Sequence, residues 1–565
     1  MRQVAHLLRA DLRRHRWLLA AWVAVVAGSA LFQAVKPTLD LQGRLQAPVD
    51  LLGGLLWLTR ALLGALIVAL VIQTHSLVGT TPFWMTRPIR PGALLASKAA
   101  LLVTALAILP LLASAAVMAA YHVPVGPMLG VLTQDGLEAC LWLVVLAAVA
   151  AVTPTLARFA LVIGGLLLGL VGALVVVTAM LASRDDFEMY ALAQEASDPA
   201  AGLALNVLLI ASGLVLLVMQ YRTRVRVRAV AVGLACAGVS VLAIEGWPWS
   251  LLTPPAEVPS WAASASRPRL VAGEGAPSVP DHAAGRAGRR WRQARAPLYL
   301  DGVPAGWTVQ ARLLESRLSV PGGGELVTSP RDALMSPAVN TLPLDSGRDN
   351  AVRRATRHVL EVERLADGGP PRGESALVLS VPEDEYRRVA PAVGHYRGRF
   401  EIVATRHLVE GRLPLRVGAW HQHGAHRVVI DAIDMVPGGV IIALRRSDAW
   451  SAFDRRQRNW PLYYLRNRAD GAAMGGWAYE YGAGAVSLGA LHFGTVSAGG
   501  TGGFFAQRVS VSFPPANAVL HGDPVPIDAG WLAGAELVIV NTEVAAPVER
   551  RIEIDPFTLG LPEKP

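Results

Sequence analysis

The chain has 565 residues, enough for two or more domains, with 53% hydrophobic and only 17% charged side chains, which excludes an ordinary soluble protein. Its formal net charge of +9 could serve nucleic-acid binding, but the arginines gather at the ends of apolar runs, where they set membrane orientation instead. Both cysteines, Cys140 and Cys236, lie in apolar runs, so disulfides do not hold the polar half of the chain together.

The first sixteen residues, MRQVAHLLRADLRRHR, bring Val4, Leu7, Leu8 and Leu12 near one helical face and most arginines to another. That pattern predicts an amphipathic helix over 1–16 in the membrane interface. Seven apolar segments then approach the roughly 20 residues that cross a bilayer: about 17–35, 56–77, 99–120, 138–153, 159–182, 203–220 and 229–245. The first follows the basic start without a clear cleavage site and is expected to be retained. Together they predict an all-α membrane bundle over 17–248.

The charges between these segments alternate. Arg2, Arg9, Arg13, Arg14 and Arg16 precede the first span, Arg87, Arg90 and Lys98 flank the third, and Arg222, Arg224, Arg226 and Arg228 flank the seventh. The intervening loops are neutral or acidic, with Asp135 and Glu138 in 121–138 and five carboxylates in 183–202. Basic loops stay in the cytoplasm. The expectation is therefore a multi-pass inner-membrane protein with a cytoplasmic N-terminus and an extracytoplasmic C-terminal domain.

Residues 81–102 read TPFWMTRPIRPGALLASKAALL. Pro88 and Pro91 disfavour helix just before them, and a helical pattern resumes at Gly92. This stretch resembles the region after the second helix of ABC-2-type transporter permeases. The resemblance is carried by Phe83, Trp84, Thr86, Arg87, Pro88, Ile89, Leu94, Leu95, Ser97 and Lys98, and it extends to the topology of the first six spans. It implies that a coupling loop, in which we include Arg90, meets a separate ABC ATPase subunit that holds the ATP. It also implies that a second permease copy or paralogue completes the pathway. The seventh span and about 320 appended residues depart from the simplest members. No G-x-x-x-x-G-K-[ST] phosphate loop occurs in this chain, so it does not hydrolyse ATP by that mechanism and carries no cofactor of its own.

Within the bundle, Gly165, Gly169 and Ala173 form a small-residue row suited to close helix packing, expected within the chain. Arg60 interrupts the second span and is expected near its outer edge, within reach of the interface.

Residues 249–296 read as a Pro-, Ala-, Ser- and Gly-rich linker. From 297 to 565 short alternating strands separated by turns predict a β-rich, sandwich-like domain. The predicted strands are HVLEVERL (358–365), GRFEIVAT (398–405), LPLRV (413–417), RVVIDAI (427–433), RVSVSF (508–513), ELVIVN (536–541) and RRIEID (550–555). Helices are expected over 382–392 and 446–458. His421, His423 and His426 in WHQHGAH are weak metal candidates, better read as a polar hairpin tip around Gly424. Neither H-E-x-x-H nor G-x-S-x-G occurs, which leaves no recognisable enzyme. The function expected is the permease subunit of an ABC-type exporter powered by a separate ATPase; the alternative is a non-transporting membrane anchor that displays its β-domain for sensing or assembly.

Overall fold

The computed structural model describes residues 2–38, 46–74, 91–182, 199–223, 225–246, 259–260, 269–272, 284–286, 289–301, 303–322, 324–328, 341–343, 351–367, 376–389, 392–437, 439–450, 461–479, 503–513, 521–522, 525, 527–545 and 548–557. Its N-terminal half is helical: α1 (Arg2–Arg14), α2 (Arg16–Val35), α3 (Gln46–Gln73), α4 (Pro91–Leu102), α5 (Leu109–Ala120), α6 (Val125–Val152), α7 (Leu156–Ala182), α8 (Pro199–Thr223) and α9 (Arg226–Gly246). A π-helical stretch, Val103–Ile108, joins α4 to α5.

Among the described residues five helices are long and apolar enough to cross a membrane: Arg16–Thr38, Leu51–Gln73, Gly92–Ala120, Val125–Val152 and Gly202–Arg222. The apolar parts of α7 and α9, Leu156–Leu166 and Val227–Ala243, are shorter. Each predicted span thus overlaps one of these helices in its described residues, while the count of seven exceeds what length and hydropathy establish here. Ile67, Val68, Leu94, Leu101, Val144, Ala148 and Leu217 are buried in one core shared by α3, α4, α6 and α8. Exposed Leu31, Leu62, Leu161 and Leu168 are the outward apolar surface that a bilayer would solvate.

Two expectations about this half need correction. Residues 125–138, expected in an outer loop, are the first turns of α6, which begins at Val125. The polar pair had masked a continuous apolar helix on either side of it. Arg60 is also deeper than expected. It stands about 14 Å along the axis from Leu51, the start of its span.

The C-terminal half contributes β1 (Arg269–Ala272), β2 (Ala284–Arg286), β3 (Arg289–Asp301), β4 (Trp307–Val320), β5 (Gly324–Thr328) and β6 (Thr341–Pro343). After α10 (Ala351–Leu360) come β7 (Arg364–Asp367), β8 (Ala376–Pro382), α11 (Glu383–Val389) and β9 (Gly394–Pro414). Then follow β10 (Trp420–His423), β11 (His426–Val436), β12 (Gly439–Trp450), β13 (Leu462–Asn467), β14 (Ala472–Gly475), β15 (Trp477–Tyr479) and β16 (Gly503–Phe513). The last elements are β17 (His521–Gly522), α12 (Ala529–Ala533), β18 (Ala535–Val544) and β19 (Val548–Phe557).

A ten-stranded sheet runs β17-β7-β14-β13-β18-β9-β4-β5, with β19 also on β9 and β6 on β4. A five-stranded sheet runs β10-β11-β12-β16-β15. Leu413, Leu465, Leu537 and Ile539 of the first sheet share a core with Val428, Ile442, Leu444, Val511 and Phe513 of the second. Burial of both inner faces in one cluster makes this a sandwich. A third sheet, β1-β3-β2 with β8 on β3, occupies part of the segment expected to be linker. Its pairing partner β8 is remote in sequence, so local composition could not reveal it.

Other local readings also change. The strand predicted over 358–365 opens instead on the last residues of the helix α10 (Ala351–Leu360), in which Ala355, Thr356 and Leu360 are buried, a helical spacing, and only Arg364 and Leu365 of it lie in β7. The predicted helix over 446–458 begins as the end of β12, through Trp450, and its remainder lies outside the described residues. The strand predicted over 413–417 stops at Pro414. The other predicted strands fall on β9, β11, β16, β18 and β19, and the helix predicted over 382–392 falls on α11.

Candidate functional site

Polar residues that the bundle encloses are the chemical features the fold does not need for its apolar core. Besides the Ser212–Ser240 hydroxyl contact, two such groups stand out in the bundle among the described residues, and a third group lies in the β-domain beside the bundle.

The first group joins α1 to the spans. Asp11 and Lys98 form an ion pair, Nζ to Oδ2 2.8 Å, with side chains only 4% and 2% exposed. Leu7 of α1 is buried in the same core as Leu94 and Tyr221, so the helix is docked along its Leu7–Asp11 stripe and does not merely float in the interface. Beside it, His15 Nε2 lies 3.4 Å from the Thr74 hydroxyl at the end of α3. Burial holds the His15 imidazole below its usual pKa; Asp11 opposes this, and Lys98 and Arg14 reinforce it. Gln73 Nε2 donates to the carbonyl and the hydroxyl of Thr153, both at 3.3 Å. These contacts tie α1, α3, α4 and the end of α6 into one layer.

Lys98 is therefore an internal group. Of the proposed coupling residues, Phe83, Trp84, Thr86, Arg87, Pro88, Ile89 and Arg90 lie outside the described residues, whereas Lys98 sits in α4 with its ammonium enclosed by the chain. Nothing in the sequence paired it with Asp11, which is 87 positions away.

The second group is at mid-depth. Asp135 and Arg60 act on each other electrostatically across α6 and α3. Asp135 stands about 15 Å along α6 from Val125. Gln134 is 1% exposed and donates from Nε2 to Glu138 Oε1 at 3.2 Å. Charged groups at this depth are costly and mark pathways for polar solutes or ions more often than they mark structure.

The third group is at the junction with the β-domain. The corner between α5 and α6 carries Tyr121, whose ring centroid is 5.4 Å from that of Phe504 in β16. Tyr121 donates to the Ala34 carbonyl at 2.9 Å, and Gln422 Nε2 of β10 donates to the His122 carbonyl at 2.9 Å. Met118, Val123 and Val131 share a small apolar cluster with Ala425 and Ala449. The five-stranded sheet therefore rests on the end of the bundle remote from α1.

The histidines of WHQHGAH flank this contact. β10 and β11 form a hairpin closed by Gly424 and Ala425, with Gly424 at φ +56°, a conformation glycine adopts freely. His423 pairs directly with His426. A register shift opposite Ile539 and Val540 leaves Glu410 as the extra residue of β9, and such a bulge re-aims a side chain. His426 Nδ1 lies 2.8 Å from Glu410 Oε1, with both side chains buried. Neighbouring Gly411 makes room for His421, whose ring a Cβ there would strike at 2.2 Å. Burial would raise the Glu410 pKa, but the His426 hydrogen bond and the charges of His426, His423 and His421 hold it below its usual value. Among the described residues no three His, Cys, Asp or Glu side chains are placed to hold a metal ion. No motif singles out Glu410; only the bulge brings it to the histidines.

Gly165 and Gly169 lie on α7 with open space where a Cβ would stand. Ala173 is in the same helix, and its side chain lies outside the described residues.

No protein-family model, curated protein or solved structure matches this chain.

Proposed function

We propose that the chain is the membrane subunit of an ABC-type transporter, exporting its substrate with energy from a separate ATPase subunit. A second permease copy or paralogue completes the pathway. In this reading seven helices cross the inner membrane, the N-terminus and residues 82–90 face the cytoplasm, and the β-domain is extracytoplasmic.

The observation that carries the reading is the buried Asp11–Lys98 pair at the root of the third span. A coupling segment must deliver force to a spanning helix. Residues 82–90 lead directly into α4, and α4 is locked to α1 within its second turn. Displacement of the segment would thus move α1 and the third span together. The mid-depth charges on α3 and α6 supply a lining for a polar route, and the seat of the β-domain on the α5–α6 corner gives bundle movements a path to that domain.

The test is co-purification of the full chain with a P-loop ATPase encoded beside it, with ATP hydrolysis as the second readout. Replacing Phe83 and Trp84 with alanine, or Arg87 and Arg90 with lysine, should leave membrane insertion intact. Lysine keeps the charge but loses the planar fork that pairs with carboxylates. Both variants should lose the ATPase or its stimulation. Retention of both by both variants would remove coupling from this segment and favour the anchor reading.

A further inference from the structure

We propose that the outer face of α1 and the first turn of α2 form a binding surface for anionic phospholipid headgroups. The inner face of α1 is already committed: Leu7 and Asp11 are buried against the bundle, as is His15 just past the end of the helix. The residues left outside have a definite chemistry. Arg9, Arg13 and Arg16 are all exposed; Arg9 and Arg13, four apart, lie on one side of α1, and Arg16 opens α2 just beyond them. Trp17 is 76% exposed, and the Arg16 guanidinium lies 5.2 Å from its ring centroid.

Two physical requirements for headgroup binding are met together. A row of guanidinium groups offers paired donors to phosphate oxygens, and an exposed indole at the first turn of a spanning helix sits where aromatic rings prefer the headgroup layer. The docking of α1 fixes the height of this row relative to the spans, because Asp11 is tied to Lys98 at the start of the third span. A helix free to roll would bury its leucines in lipid and lift its arginines into water. Here the bundle takes Leu7, and the arginines are held at the rim. The charge complementarity selects anionic over zwitterionic lipid.

The full-length protein in zwitterionic detergent micelles is titrated with phosphatidylglycerol, phosphatidylcholine or soluble glycerol phosphate, and its melting temperature is followed. Phosphatidylglycerol should raise the melting temperature, and the other two should not. Replacing Arg9, Arg13 and Arg16 with glutamine should weaken the apparent affinity by about fivefold per arginine. The triple lysine variant keeps the charge that sets topology but loses the paired donors, and its affinity should fall between those of the wild type and the glutamine variant. High salt should suppress the shift in the wild-type protein.

An equal shift with phosphatidylcholine, or one with glycerol phosphate, would overturn a site for anionic lipid. Unchanged phosphatidylglycerol affinity in the glutamine variant would do the same. If that variant instead lost a co-purifying ATPase while its lipid response was unchanged, the surface would belong to a protein partner and the proposal would fail.

Discussion

The indole Nε1 of Trp22 donates to the carbonyl oxygen of Ala105 at 2.7 Å, linking the first span to the π-helical stretch of the third. The partner is set by Pro110. In π-helical register a carbonyl accepts from the N–H five residues on, as the Thr104 carbonyl does from the Leu109 N–H. Ala105 would need the N–H of residue 110, which proline lacks. Trp22, itself buried, fills that vacancy from a neighbouring helix, as apolar surroundings require.

Replacing Trp22 with phenylalanine should therefore destabilise the bundle by about 1 kcal/mol beyond the lost packing. The Pro110→Ala change restores a backbone donor. In that background Trp22→Phe should cost measurably less. Equal costs in both backgrounds, measured by detergent unfolding, would show that the hydrogen bond does not answer the missing proline donor.

The Asp11–Lys98 pair yields a prediction of opposite form. Removing one partner leaves the other charge buried, which costs roughly 3–5 kcal/mol. Lys98→Met or Asp11→Leu alone should lower the melting temperature of the full chain strongly. The double variant replaces both charges with apolar groups and should recover most of the loss. Additive losses would mean that the two residues act separately.

Much of this was legible in the sequence, and the failures have physical causes. Long apolar runs and period-two strands located the bundle and most of the sandwich, because each depends on local pattern. Asp135 and Glu138 misled, since charge alone reads as loop while their helix continues on both sides. Glu410 was invisible because a bulge, not a motif, aims it. The Asp11–Lys98 pair joins distant segments, and no local signal predicts such a partner. The small-residue row of α7 was readable as a pattern, but the side it faces depends on the fold.

The Glu410–His426 contact sets an acid limit on the β-domain. The Glu410 carboxyl titrates below its usual value of 4.5 in the folded protein, so its ionised form is favoured by folding. The resulting stability is fully present above about 4.5 and is lost as the pH falls through the lower folded value. Glu410→Gln should flatten the acid limb of a plot of melting temperature against pH while changing little at neutrality beyond a constant offset. An unaltered acid limb would place the proton uptake on other groups.

The mid-depth charges carry the last prediction, which separates a structural role from a functional one. If Arg60 and Asp135 serve only to neutralise each other, an apolar pair should replace them without loss. Arg60→Leu or Asp135→Leu alone would then destabilise, and Arg60→Leu with Asp135→Leu would restore both stability and activity. If the two line a route for a polar solute, the double variant should fold and insert normally, yet lose transport-coupled ATP hydrolysis by the partner subunit. The placement of Glu138 and buried Gln134 on the same helix, joined at 3.2 Å, favours the second outcome, because neutralising Arg60 requires one carboxylate and no amide. Exchanging the charges, Arg60→Asp with Asp135→Arg, sharpens the contrast: it keeps neutrality but reverses the field along the route. Stability should survive the exchange, whereas coupled hydrolysis should not. Full activity in both the leucine pair and the exchanged pair would reduce these residues to packing and charge balance.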